Sequence, residues 1–171
     1  SSTVPTRDGY DFLGWSTSSS ATRASYIAGD SISLSSDTDL YAVWKIKTYA
    51  VTYNANGGSG APSTQYKTYG TTLTLSSTKP TKNSTPAGSY TVTLNANGGT
   101  CSLASLTAKR TTNYFFIEWN TNSSGTGTRY VPGASYDTNA KLDLYAIYTN
   151  STTTETVPLP TPTREGYNFM G

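Results

Sequence analysis

The string Asn-Ala-Asn-Gly-Gly occurs at 54–58 and again at 95–99, each time behind an alternating run, TYAVTY at 48–53 and SYTVTL at 89–94. Alternation places Tyr49, Val51 and Tyr53 on one strand face and Thr48, Ala50 and Thr52 on the other. The second copy repeats this with Tyr90, Val92 and Leu94. Asn-Gly behind such a strand is a hairpin signal, because both residues tolerate positive φ. Asn56-Gly57 and Asn97-Gly98 therefore read as repeated structural turns. A phosphate loop would need a further glycine, a lysine and a following helix, and neither copy has them. A strand and turn written twice constrain the chain to a repeat architecture.

The repetition extends well beyond the turn. With Trp15 set on Trp119, Tyr10 falls on Tyr114, Phe12 on Phe116, Tyr26 on Tyr130 and Gly29 on Gly133, without a gap. The run DLYAVW (39–44) lands on DLYAIY (143–148), and TRDGYDFLG (6–14) returns as TREGYNFMG (163–171). One unit then has a front half, with alternating strand, NANGG and a second strand ending in SSTxPT. Its back half holds GYxFxGW, a Ser/Gly-rich stretch, a YxxG turn and a closing DLYAxW strand. Residues 1–44 read as the C-terminal half of a repeat. Residues 48–88 read as an N-terminal half or a hairpin extension, 89–148 as a complete compact repeat, and 153–171 as the start of a further one. After KPTK (79–82) the expected GYxFxGW half is missing and a new front half begins. Either 48–88 is a hairpin extension of the next domain, or the 89–148 unit interrupts a larger one.

Large rings recur at fixed spacing within this pattern. Phe12, Trp15, Trp44, Phe116 and Trp119 are the expected core, since burying one such ring contributes a few kcal/mol. A unit of about 60 residues is a marginal folder and depends on such anchors. Fourteen Tyr and abundant Thr favour strands. No long run shows a 3.6 period; CSLASLTAK (101–109), IAGDSIS and VPGASY suit a turn or two of helix at most.

The order YTVTxNANGG, PTRxGYxFxGW, YxxG, LYAxW resembles the Listeria–Bacteroides repeat, the B-repeat module of internalin-type surface proteins. The resemblance covers nearly the whole chain, with Tyr148 standing where the other copy has Trp44. It implies a mainly β fold: tandem, small β-grasp-like domains with twisted sheets of about four strands and little helix. It also implies tandem arrays on secreted or wall-anchored bacterial proteins, or on phage tails, without enzymatic activity. The family's proposed roles are stalk, adhesion and host-surface interaction.

The chemistry of the chain points the same way. Histidine is absent, so a Ser-His-Asp arrangement is impossible and the commonest metal ligand is missing. Cys101 is the only cysteine, so no disulfide forms within the chain. The carboxylates fall mainly in turns and at strand starts, where solvation explains them. Asp37-Thr38-Asp39 offers oxygens for calcium but no glycine-containing loop surrounds it. The net charge of +2 leaves no footprint for nucleic acid, and no apolar stretch approaches the length that inserts in a membrane. No cofactor is expected. With neither an initiator Met nor a leader, the sequence reads as a piece of a longer chain. The expectation is a stalk or spacer outside a cell, its partners being neighbouring repeats. The competing expectation is an adhesive module that stacks glycan, or binds a host surface protein, on exposed Tyr and Trp.

Overall fold

A computed structural model describes residues 3–171. The described residues form ten strands: β1 (Tyr10–Ser16), β2 (Tyr41–Ile46), β3 (Thr48–Asn54), β4 (Gln65–Thr68), β5 (Leu73–Thr74), β6 (Thr85–Thr93), β7 (Ser105–Asn120), β8 (Arg129–Tyr130), β9 (Ser135–Tyr136) and β10 (Leu142–Thr154). No helix occurs among them, and the fold is mainly β with several small sheets. The turns of helix that 101–109 and 131–136 suit do not form. Ser105 opens β7 instead, because Leu106 and Ala108 find Val92 and Tyr90 across the ladder with β6. Cross-strand pairing outweighs the weak local preference of a short run. Ser135 and Tyr136 likewise pair with Thr74 and Leu73.

The chain divides into two compact units. The first gathers the residues up to Asn54 with Pro62–Thr78 and Tyr130–Leu144. Within it β1 pairs antiparallel with β2, from Tyr10 opposite Ile46 to Ser16 opposite Tyr41, with a bulge between Phe12 and Gly14. Strand β3 pairs with β4 from Thr48 opposite Thr68 to Val51 opposite Gln65, and β5 pairs with β9. The Lys47 N–H donates to Gly9 O and the Tyr69 N–H to Lys47 O, both at 2.9 Å. Val43, Val51, Leu75, Tyr136, Leu142 and Leu144 are buried. Lys67 is buried with them, and its Nζ donates to Asn139 Oδ1 at 2.6 Å.

The second unit gathers Ala55–Ala61, Lys79–Arg129 and Tyr145–Gly171. Its axis is the long strand β7. On one edge β7 pairs with β6, from Thr85 opposite Thr112 to Thr93 opposite Ser105. On the other it pairs with β10, from Tyr145 opposite Asn120 to Thr154 opposite Arg110, with a bulge at Ile147/Tyr148. Trp119, Ala146, Asn120, Glu118 and Ala108 are buried here. In β10 the side chains alternate, with Leu142, Leu144 and Ala146 all buried.

Candidate functional site

The two NANGG strings are turns of the same kind. Asn56 and Gly57 have φ of +50° and +82°; Asn97 and Gly98 have +45° and +84°. Gly58 N–H donates to Ala55 O, and Gly99 N–H to Ala96 O, each at 2.9 Å. Two successive positive φ values with this bond define a type I′ turn, which Asn-Gly fits without strain. The chain does not return directly along the strand it leaves. Ser59 instead bridges Thr81, with bonds of 2.7 and 2.9 Å, and Thr100 bridges Thr163 at 2.7 and 2.8 Å.

What meets the first turn comes from far along the chain. The Asn56 amide donates to Ser123 O at 2.8 Å and to Ala146 O at 3.0 Å. The Tyr148 hydroxyl donates to Ala55 O at 2.9 Å. Gly58 lies so close that an added Cβ would sit 2.2 Å from Tyr148 Oη and 2.3 Å from Thr81 O. Glycine is therefore required there by approach, while at Gly57 it is favoured by φ.

The rings form a recurring cluster. Phe12 meets Trp15 at 5.3 Å and Trp44 at 5.5 Å, edge to face. Phe116 meets Trp119 at 5.4 Å and Tyr148 at 6.1 Å in the same manner. A cation covers the tyrosine two residues before each of these phenylalanines, Arg7 over Tyr10 at 3.9 Å and Lys82 over Tyr114 at 4.9 Å. Arg164 covers Tyr167 at 4.3 Å, two residues before Phe169. Such contacts contribute about 0.5–1 kcal/mol at exposed sites. Arg7 and Arg164 each precede their tyrosine by one short turn, whereas residues 83–113 stand between Lys82 and Tyr114. The same contact is thus made once with a long segment looped out of it.

Of the five rings expected in cores, Trp119 is fully enclosed, at 0% exposure. Phe12, Trp15, Trp44 and Phe116 are half-buried. Trp15 and Trp119 occupy matching places yet differ in burial.

Sequence reasoning missed Asn120, which composition alone would place in a solvated loop. It is fully buried and fully used. Its Nδ2 donates to Glu118 Oε1 at 3.1 Å and Gly127 O at 3.3 Å, while Oδ1 accepts from the Asn122 and Gly127 N–H groups. Glu118 in turn accepts from Arg129 Nε. The one available signal was the Asn-x-Asn-Ser-Ser-Gly run at 120–125, rich in residues that bond back to backbone. Glu118 is a carboxylate held by two partners inside the fold. No group of three or more His, Cys, Asp or Glu close enough to hold a metal ion occurs among the described residues.

Titration follows the same geometry. The Thr52 hydroxyl, and then Lys141, hold the Asp143 carboxyl below the usual carboxylate range. Burial raises the phenols of Tyr53, Tyr136 and Tyr148 above their ordinary value of 10.0. A raised folded value means that the neutral phenol stabilises the fold fully below that ordinary value, and that the contribution is lost as pH climbs through the folded value. Unfolding titrations between about pH 9 and 11 should therefore show stability falling. Tyr148→Phe should flatten part of that fall while lowering stability at neutral pH; an unchanged alkaline slope would separate Tyr148 from the effect.

The family model described as the Listeria-Bacteroides repeat domain matches residues 1–43, 49–85 and 90–147. Two relatives come from Evansella cellulosilytica. One, whose name calls it a Gly-rich membrane protein, is 36% identical over 69 residues, 40% of this chain. The other, whose name calls it a membrane protein, is 32% identical over 145 residues, 83% of this chain. The chain spans 8% and 17% of their respective lengths. No solved structure matches, and no helix among the described residues is long and apolar enough to cross a membrane. The chain belongs to the Listeria-Bacteroides repeat domain family.

Proposed function

We propose that the chain is a non-catalytic tandem repeat segment of a bacterial surface protein, acting as a spacer whose partners are its own neighbouring repeats. The observation that carries this is the use of its recurring groups. The cation–tyrosine pair, the phenylalanine-centred ring cluster and the NANGG turn are spent on holding segments of the same chain together. The relatives' names, which call both membrane proteins, support placement at the cell envelope.

The working module in this reading is 48–82 closed by 114–148. In the second unit the turn at 55–58 receives Ala146, Tyr148 and Ser123. In the first unit Leu73 and Thr74 pair with Tyr136 and Ser135, the Leu75 N–H donates to Ala134 O at 2.9 Å, and the Thr52 hydroxyl donates to Asp143 at 2.5 Å. Front-half residues meet back-half residues in both. Residues 83–113 are then an insertion that carries the next front half.

Stretching the full chain between two marker domains tests the spacer role. The expected trace has discrete unfolding events, because long-range strand pairs must break together. A featureless extension, like that of a flexible linker, would overturn it.

A further inference from the structure

We propose that the first unit closes a covalent bond on itself: the Lys67 amine displaces ammonia from the Asn139 side-chain amide and leaves an isopeptide cross-link. The proposal does not depend on the spacer role.

Both residues depart from the repeat. Setting 48–58 on 89–99 and continuing without a gap brings Lys67 onto Ala108. The strand register agrees, since Lys67 stands opposite Tyr49 and Ala108 opposite Tyr90. Both places are buried, so the fold accepts a methyl group where this copy has an amine. Setting Trp15 on Trp119 brings Ser35 onto Asn139. The amine and the amide thus arise at two separate departures, 72 residues apart, and meet.

Packing alone asks for neither group. Lys67 is 1% exposed, and a buried lysine is ordinarily paired with a carboxylate. The ion pairs among the described residues are Lys47–Asp11, Arg129–Glu118 and Lys141–Asp143, and none takes Lys67. Its Nζ instead donates to Asn139 Oδ1 at 2.6 Å and to Thr68 O at 3.4 Å. A carbonyl bond is about 1.2 Å long, so the Asn139 amide carbon lies within about 3.8 Å of the amine. Attack begins from about 3–3.5 Å, which a small turn of either side chain supplies. The Gly70 N–H also donates to Asn139 Oδ1, at 3.1 Å. That donor polarises the carbonyl and would hold the charge that develops on Oδ1 as the carbon becomes tetrahedral.

The step balances without a second reagent. The bond from Lys67 Nζ to Asn139 Cγ forms, and the bond from Cγ to Nδ2 breaks. The two protons that the ammonium gives up leave with Nδ2 as an ammonium ion, so charge is conserved and nothing is oxidised or reduced. Asn139 is exposed, so the leaving group passes directly into water. Exchange between free amines and amides is slow; fixed placement offsets this, since well-oriented groups react as if present at on the order of 10⁵ M or more.

The intact mass of the full chain, measured after denaturation of the folded protein, tests this. The parent should weigh one ammonia less than its sequence. Trypsin should leave Lys67 uncut and release residues 48–82 joined to 130–141. Lys67→Ala and Asn139→Ser, which install the residues of the matching places, should each keep the full mass and yield separate peptides. Stretching reads the link independently: the segment between 67 and 139 should not extend in the parent and should extend in either variant. A parent at full mass with Lys67 cut by trypsin overturns the proposal. So does loss of ammonia that persists in Lys67→Ala, which would belong to ring closure at an Asn-Gly turn.

Discussion

Trp119→Ala should lower the unfolding free energy by about 3–5 kcal/mol, the cost of emptying a large ring site that cannot collapse. Trp119 is the largest side chain in the structure with no exposure, and it is clamped by Phe116. The matching substitution, Trp15→Ala, should cost only about 1–2 kcal/mol, because that ring is only partly buried. The contrast matters more than either value. Both rings sit in the same motif against the same kind of phenylalanine, so a difference in cost isolates the effect of burial. Thermal unfolding followed by near-ultraviolet circular dichroism reads both; for a chain of this size each kcal/mol moves the midpoint by about 2–4 °C. Equal costs would mean that burial does not set the cost at these two places.

Gly58→Ala should cost about 3 kcal/mol, although the change is one methyl group. The methyl would meet Tyr148 Oη and the backbone oxygen of Thr81, both under 3 Å. The tyrosine can swing away, at the expense of its bond to Ala55 O. The Thr81 oxygen cannot, because it accepts from Ser59 N–H in the bridge. At Gly99 an added Cβ would also meet backbone, Thr163 O at 2.5 Å, but no tyrosine is lost there. Gly99→Ala should therefore open only the Thr100–Thr163 bridge and leave the bond from Tyr148 to Ala55 O in place. Denaturant unfolding of the two variants measures the difference. A neutral Gly58→Ala would show that the turn stands clear of Tyr148.

Much of this architecture is local and so was legible in the residues. The turns at Asn56-Gly57 and Asn97-Gly98 follow from which side chains tolerate positive φ. The inward set Leu142, Leu144 and Ala146 follows from period-two alternation. The recurrence of Phe12, Trp15 and Trp44 in Phe116, Trp119 and Tyr148 is plain once the copies are set side by side. Pairing between halves was not legible. A front half at 89–99 followed by a back half at 114–148 has the right order to be one unit, and no periodic pattern says that Tyr148 reaches Ala55. The contact that reveals the loop-out, Lys82 over Tyr114, joins residues whose separation matches neither of the other copies. Asn120 was hidden for a different reason: a buried amide with every donor and acceptor used has the same composition as a solvated loop residue. The strand at 105–109 was hidden because its partner, Tyr90 to Thr93, decides its conformation.

The central claim is that the first NANGG turn, not the second, closes on the strand that carries Tyr148. Proton–proton contacts of the Tyr148 ring in the isotopically labelled full chain test it most directly. The account predicts cross-peaks from that ring to Gly58 and Ala55 and none to Gly99 or Ala96. Contacts to Gly99 and Ala96 instead, with Gly58 silent, would contradict it and close 89–148 upon itself.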